Sequence, residues 1–581
     1  MGLDCIYRPP LTSLETDSSV LARLSHLEAR VQAIDHGRSE ALSFGTPATA
    51  PEGSVILAWP KVPEFHHAAA HKLFHYWSKL RINLTIPDIE PLKFLKQVDE
   101  ADDFLFSSHF ATPVSGDMPL AEAIRAIESL FENILRLPFV LRHLLTYGGL
   151  SKDICLGFFK QYRPSSPQAY QVRLEFKNQS AEELLLQTVA FKHVASTTSE
   201  PYLSQKADLC FRRALERMWM MQTQQSPQAL PFKFLFVIIL LYLYGRPFHA
   251  LGLLQSLESL IHNASPKSQE DLAFKSRYEA CLHQYFILES DILTEIDGIP
   301  SQRLHNIGVS LANDTVTTPP NLFGHDFSAP PGESHPSWEL QAHLRLRGYL
   351  NSVLDNLYTA NRAYCRPDDV AEPLTDIARR LDLWYWSLPL DMRFPRHPSA
   401  FLFAANRMSA PMDEVMFRYY AAVFLMNRPI LYSVLYETLE HAARSPESEA
   451  SKQDPWTYES CYNCVQNAIM IILLHTTRHH TNPHDYFENW CNLQHLIAAH
   501  AIIVQVRNSP TMSILLRDSG DPSQLLDAAE NVLERCLNRP ATIRETLGLL
   551  RNIRQNFQRN TPRTPSLGNG YATSPVYSAK S

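Results

Sequence analysis

The sequence predicts an all-α protein, and three observations carry that prediction. Apolar residues recur three and four apart through almost the whole body of the chain, from about His66 to Phe557. Glycine is sparse, at 19 of 581 residues, and clean two-residue alternation of the kind a half-buried strand needs is rare. Stretches such as PLAEAIRAIESLFENILRL and SQLLDAAENVLERCLNR show the helical spacing directly, each following a proline or cap-like start.

In chain order, the opening MGLDCIYRPP lacks an apolar run long enough for a secretory signal. It also has Ile6 where an N-myristoylation pattern needs Ser or Thr. Residues 17–36 form the first predicted helix, with Asp17 or Ser18 as N-cap and Gly37 as stop. Its apolar residues Val20, Leu24, Leu27, Val31 and Ile34 step by alternating fours and threes, the spacing that keeps one seam facing a partner helix. Leu24 and Val31 then take a positions and Val20, Leu27 and Ile34 take d. Arg23 and Arg30 fall at g, and Glu28 and Asp35 at e. In a parallel pair Arg23 faces Glu28 of the partner and Arg30 faces Asp35, so the charges favour a homodimer. A single amphipathic surface helix is the alternative, because the pattern runs little beyond two heptads.

Residues 37–65 are a proline-punctuated linker, and residues 66–557 are the helical body. A proline-rich loop at 317–336 divides that body. The tail, 558–581, lacks the apolar content to pack and is expected to be disordered. It carries Thr561, Thr564 and Ser574, each followed by proline, which are candidate phosphorylation positions and equally compatible with an inert linker.

Cys5 with Tyr7 and Arg8, then a proline break and a short coiled coil, resembles the end of the zinc binuclear cluster of fungal Zn2Cys6 transcription factors. That resemblance implies a module that holds two zinc ions and places a helix in the DNA major groove, with dimer geometry setting half-site spacing. Cys5 would be its last ligand. One thiolate cannot hold two ions that each need four ligands, so the resemblance further implies a chain truncated at its N-terminus or a misassigned start.

The body supports the same family independently of Cys5. HQYFILESDILTEIDGIPSQRL (283–304), DLWYWSLPLDMRF (382–394) and MFRYYAAVFLMNRPILYSVL (416–435) resemble, in order and rough spacing, segments of the fungal-specific transcription factor domain. CYNCVQNAIMIILLHTTRH resembles a later helix of that domain. A Gly-x-Ala-x-Arg-x-Ala helix common there is not recognisable near RPFHALGLLQSLESL. Physically these segments read as packing: Trp384, Trp386 and Leu388 supply core bulk, Pro389 ends a helix, and Arg428 before Pro429 meets terminal carbonyls or a carboxylate.

Composition and motifs exclude several classes. A net charge of -7 argues against a general nucleic-acid coat. Nine scattered cysteines suit a reducing compartment. The apolar run FLFVIILLYLY (234–244) is too short to span a bilayer and reads as a buried helix. Cys461, Cys464, His475 and His479 mimic zinc-finger order. On one continuous helix, however, His475 lies about 16 Å from Cys464 at roughly 1.5 Å per residue, far beyond the reach of a metal bonded near ~2 Å. His67, His71 and His75 fall on one helical face without the glutamate of H-E-x-x-H, and read as a packed or solvated face. No phosphate loop, dinucleotide fingerprint or nucleophile elbow is present, so no catalysis is expected.

The expectation is therefore a non-enzymatic, nuclear, DNA-binding transcriptional regulator of a metabolic or biosynthetic gene set. Its expected partners are promoter half-sites if full-length, a second copy through the coiled coil, and transcriptional co-regulators, with no membrane; the two zinc ions belong to the full-length module and are not expected to bind this chain as written. The alternative is an all-helical interaction scaffold without DNA binding.

Overall fold

The computed structural model describes residues 68–76, 91–101, 117–162, 173–175, 179–223, 227–263, 272–296, 338–358, 367–404, 410–444, 455–481, 487–536 and 541–560. All belong to the unit spanning Pro60–Ser581. The fold is all-α. Among the described residues the one sheet is a short antiparallel ladder between β1 (Asp117–Pro119) and β2 (Arg173–Glu175), with Met118 opposite Leu174.

Among the described residues there are eighteen α-helices. The first are α1 (Ala70–Tyr76), α2 (Pro91–Ala101), α3 (Leu120–Glu132), α4 (Phe139–Tyr147), α5 (Lys152–Lys160), α6 (Ala181–Thr198) and α7 (Pro201–Thr223). They are followed by α8 (Leu230–Ile238), α9 (Pro247–Asn263), α10 (Leu272–Glu295), α11 (Trp338–Leu357), α12 (Pro367–Ser387) and α13 (Pro398–Ala404). The last are α14 (Ala410–Arg444), α15 (Pro455–Thr481), α16 (Trp490–Arg507), α17 (Pro522–Arg535) and α18 (Ala541–Asn560).

Local chemistry sets the boundaries. Ser180 caps α6 by accepting from the Glu183 amide at 3.2 Å. That helix ends where Ser199 turns left-handed at φ 59°, and Pro201 starts α7 two residues on. Asp521 caps α17, whose apolar stripe Leu525, Leu526, Ala529, Val532 and Leu533 is buried. The run 234–244 is buried throughout: α8 passes into a π-turn at Ile239–Leu243, and Gly245 at φ 58° turns the chain into α9. Among the described residues no helix is long and apolar enough to cross a membrane.

A helix that is apolar on every side belongs at the centre, and α16 is the case here. Of the seventeen positions from Trp490 to Val506 only Asn492 is not buried. Each fully buried Leu or Ile among them contributes about 1.5–3 kcal/mol. Around it, α15 packs on α14, α16 and α17, and α14 also packs on α11. The Trp490 indole donates to Thr542 Oγ1 at 3.1 Å, which seats α18 on the central helix.

Two packing expectations need correction. Trp384 and Leu388 are buried, but Trp386 is 58% exposed, on the outer side of α12 with Arg393 stacked 5.0 Å over its ring. Nor does Arg428 before Pro429 meet the terminal carbonyls of its own helix, because α14 continues through Pro429 to Arg444. A proline inside a helix orphans the carbonyl four residues earlier. Here that is Leu425, and the Tyr358 hydroxyl donates to it at 2.7 Å.

Candidate functional site

Asp291 sits on α10 inside the apolar run that packs the middle of the body. Arg418, on α14, donates to its two oxygens at 2.6 Å each, and Arg347, on α11, adds a third bond at 3.0 Å. Burial alone would push the Asp291 carboxyl up, but the two guanidiniums hold it below the ordinary carboxylate value. Arg347 also donates to Thr294 and Asn351, and Asn351 donates to Ser290. Arg418 Nε donates to His343 Nδ1 at 2.9 Å, which requires a neutral imidazole. Burial, with Arg418 and Arg142 adding repulsion, keeps His343 well below its usual pKa.

The polar spine extends both ways from this centre. On one side His343 stacks on Phe139, with ring centroids 4.0 Å apart, and Glu414 caps α4 by accepting from the Phe139 amide at 2.8 Å. Arg142 pairs with Glu339 there, and burial still pushes that glutamate up to about 7 against the arginine. On the other side Glu295 accepts from the Ala70 amide at 3.1 Å and lies 3.7 Å from His495, its carboxyl also pushed up to about 7 by burial. Arg428 donates to the Ala68 carbonyl and is enclosed by the rings of Tyr358, Phe424 and Tyr432. Six helices, α1, α4, α10, α11, α14 and α16, are thus held in register by buried charge.

Cys461 and Cys464 lie on α15, which is one unbroken helix carrying His475 and His479 as well. Both cysteines are free and fully buried, and burial pushes the Cys461 thiol up to about 12. The two imidazoles meet a different residue, the buried Glu488: His475 Nδ1 lies 3.6 Å from Oε1 and His479 Nε2 lies 3.7 Å from Oε2. Each ring faces a separate carboxylate oxygen, so the three side chains do not converge on one point. Among the described residues no group of three His, Cys, Asp or Glu side chains is arranged to hold a metal. The helical face expected from His67 to His75 is cut short. The helix α1 begins at Ala70, His71 is buried near the start of that helix, and His67 lies outside the described residues.

Two surface features complete the inventory. A cavity of about 220 Å³ opens between the α4–α5 turn, α8 and α10. On the α12 side, Leu383, Trp386 and Leu390 are 60%, 58% and 81% exposed.

The residues singled out from sequence for zinc, dimerisation and phosphorylation are not among these. Cys5, the seam from Val20 to Ile34 with Arg23, Glu28, Arg30 and Asp35, and Thr561, Thr564 and Ser574 all lie outside the described residues, as does the proline-rich loop. Sequence reading missed the spine. The available signal was a charge interrupting an apolar run, as Asp291 does in FILESDILTEI and Arg418 in VMFRYYAAVF.

No protein-family model matches the chain, and no curated protein matches it.

Proposed function

We propose that the protein is a transcriptional regulator of the fungal binuclear-cluster type. In this reading DNA contact belongs to the full-length zinc cluster, of which Cys5 alone stands in this chain as the last ligand; the 17–36 helix pairs two copies, and the helical body receives or transmits the regulatory signal through co-regulators in the nucleus. The body performs no catalysis.

One observation carries the reading. Of the three body segments that resemble the family's regulatory domain, the first two pack on α14, the helix that carries the third. The first supplies Asp291, which pairs with Arg418 of the third. The second supplies Tyr385 and Phe394, whose rings lie 5.9 and 5.2 Å from Tyr419 of the third. The segments that carry the resemblance thus meet in one core, as parts of a single regulatory domain would. The test is to fuse the whole chain to a heterologous DNA-binding module and measure a reporter downstream of its site. Reporter output several-fold above or below the module alone is expected, and output equal to the module alone would contradict the proposal.

The exposed trio Leu383, Trp386 and Leu390 favours a second reading, an interaction scaffold without DNA binding. Under it the fusion leaves the reporter unchanged.

A further inference from the structure

The cavity between α4, α5, α8 and α10 is built for an occupant of definite chemistry. Its volume of about 220 Å³ corresponds to roughly seven waters at ~30 Å³ each. Its inner wall offers water little to bond. Leu150, Leu230, Phe232 and Cys281 are each less than a tenth exposed, and Phe158 stands edge-on against Phe232 with ring centroids 5.4 Å apart. Burial keeps the Cys281 thiol protonated, pushed up to about 12, so the floor carries no charge of its own.

The mouth is different. Ile154 is 44% exposed there, and Arg277, on α10, is exposed and is the only charged side chain among the described lining residues. The arginine stem passes directly over Gly149: a Cβ at that glycine would lie 2.8 Å from Arg277 Cδ. Gly149 also holds φ 94°, a conformation that disfavours any side chain and so keeps this position bare beneath the arginine. The guanidinium field reaches inward as well, since it partly offsets the effect of burial on Cys281.

An apolar chamber with one cation at its entrance selects an amphiphile with an anionic end. We propose that the cavity binds a small amphipathic carboxylic acid, its hydrocarbon body between Leu150, Phe158 and Phe232 and its carboxylate at Arg277. A neutral amphiphile of the same length forfeits the charge-assisted bond, and an amine meets like charge. The inference goes beyond the transcriptional reading and holds whether or not the chain contacts DNA.

Isothermal titration of the full chain with octanoate, octanol and octylamine tests it. Octanoate is expected to bind saturably, about tenfold or more tighter than octanol, with octylamine weakest. Arg277→Gln, at an exposed position, is expected to bring octanoate down to the affinity of octanol. Ile154→Trp narrows the mouth from a half-exposed site and is expected to weaken both. Absence of saturable octanoate binding, equal affinity for octanoate and octanol, or octanoate affinity unchanged in both variants would overturn the proposal.

Discussion

Arg418 loses nearly all of its water and donates two 2.6 Å bonds to one carboxylate, an exchange that works only while Asp291 stays in place. Arg418→Ala leaves Asp291 buried with Arg347 alone, and a loss of about 3–5 kcal/mol in urea unfolding is expected. A loss below about 1 kcal/mol would mean the spine does not hold the fold. The buried titratable groups make stability depend on pH in two opposed ways. Burial pushes His143 and His475 down to about 3, and His283 and His495 down to about 4. The native chain therefore binds fewer protons than the unfolded chain below the ordinary histidine value, and stability falls as pH drops below about 6.5. Glu295 acts in the other sense. Its folded pKa of about 7 exceeds its unfolded value, so its contribution is fully present below pH about 4.5 and is lost as pH rises through 7. Glu295→Gln keeps an acceptor for the Ala70 amide and removes that titration. Its melting temperature relative to the parent is expected to rise between pH 5 and 8, and a difference constant with pH would refute the assignment. None of these partners was legible in the sequence, where Asp291 and Arg418 stand 127 residues apart and nothing local marks Asp291, rather than the neighbouring Glu289 or Glu295, as the partner of an arginine.

At the scale of elements, the sequence carried more. Three-and-four spacing foretold long helices, and α15 and the 230–243 segment took the buried form expected of them. Local signals were misleading where a tertiary contact changed their meaning. Pro429 reads as a helix stop because proline removes a backbone donor, yet α14 runs on because Tyr358, 67 residues away from Leu425, supplies the missing hydrogen bond. Tyr358→Phe deletes only that hydroxyl. It is expected to cost about 1–3 kcal/mol in chemical denaturation, and a neutral result would show that α14 tolerates Pro429 unaided. Trp386 was misread for a related reason. Two residues beyond Trp384 it falls roughly 200° around the helix, on the opposite, outer face, and nothing in its chemistry distinguishes a core indole from an exposed one.

For the whole molecule, the candidate cavity was invisible in sequence, because its lining comes from the α4–α5 turn and the helices α5, α8 and α10, which only the fold brings together. The dimer seam shows the opposite case: its pattern is explicit in sequence, and it lies outside the described residues. If Val20 to Ile34 pairs two copies, Leu24→Lys halves the solution mass measured by light scattering. A monomer in both parent and variant would remove the seam. The central claim is that this helical body belongs to a regulator acting at promoters. Mapping chromatin occupancy of the chain, tagged at its own locus, tests this most directly, with Cys5→Ser alongside. Enrichment at discrete promoters sharing paired half-sites, abolished by Cys5→Ser, is the expected result; occupancy indistinguishable from untagged background in both would contradict it.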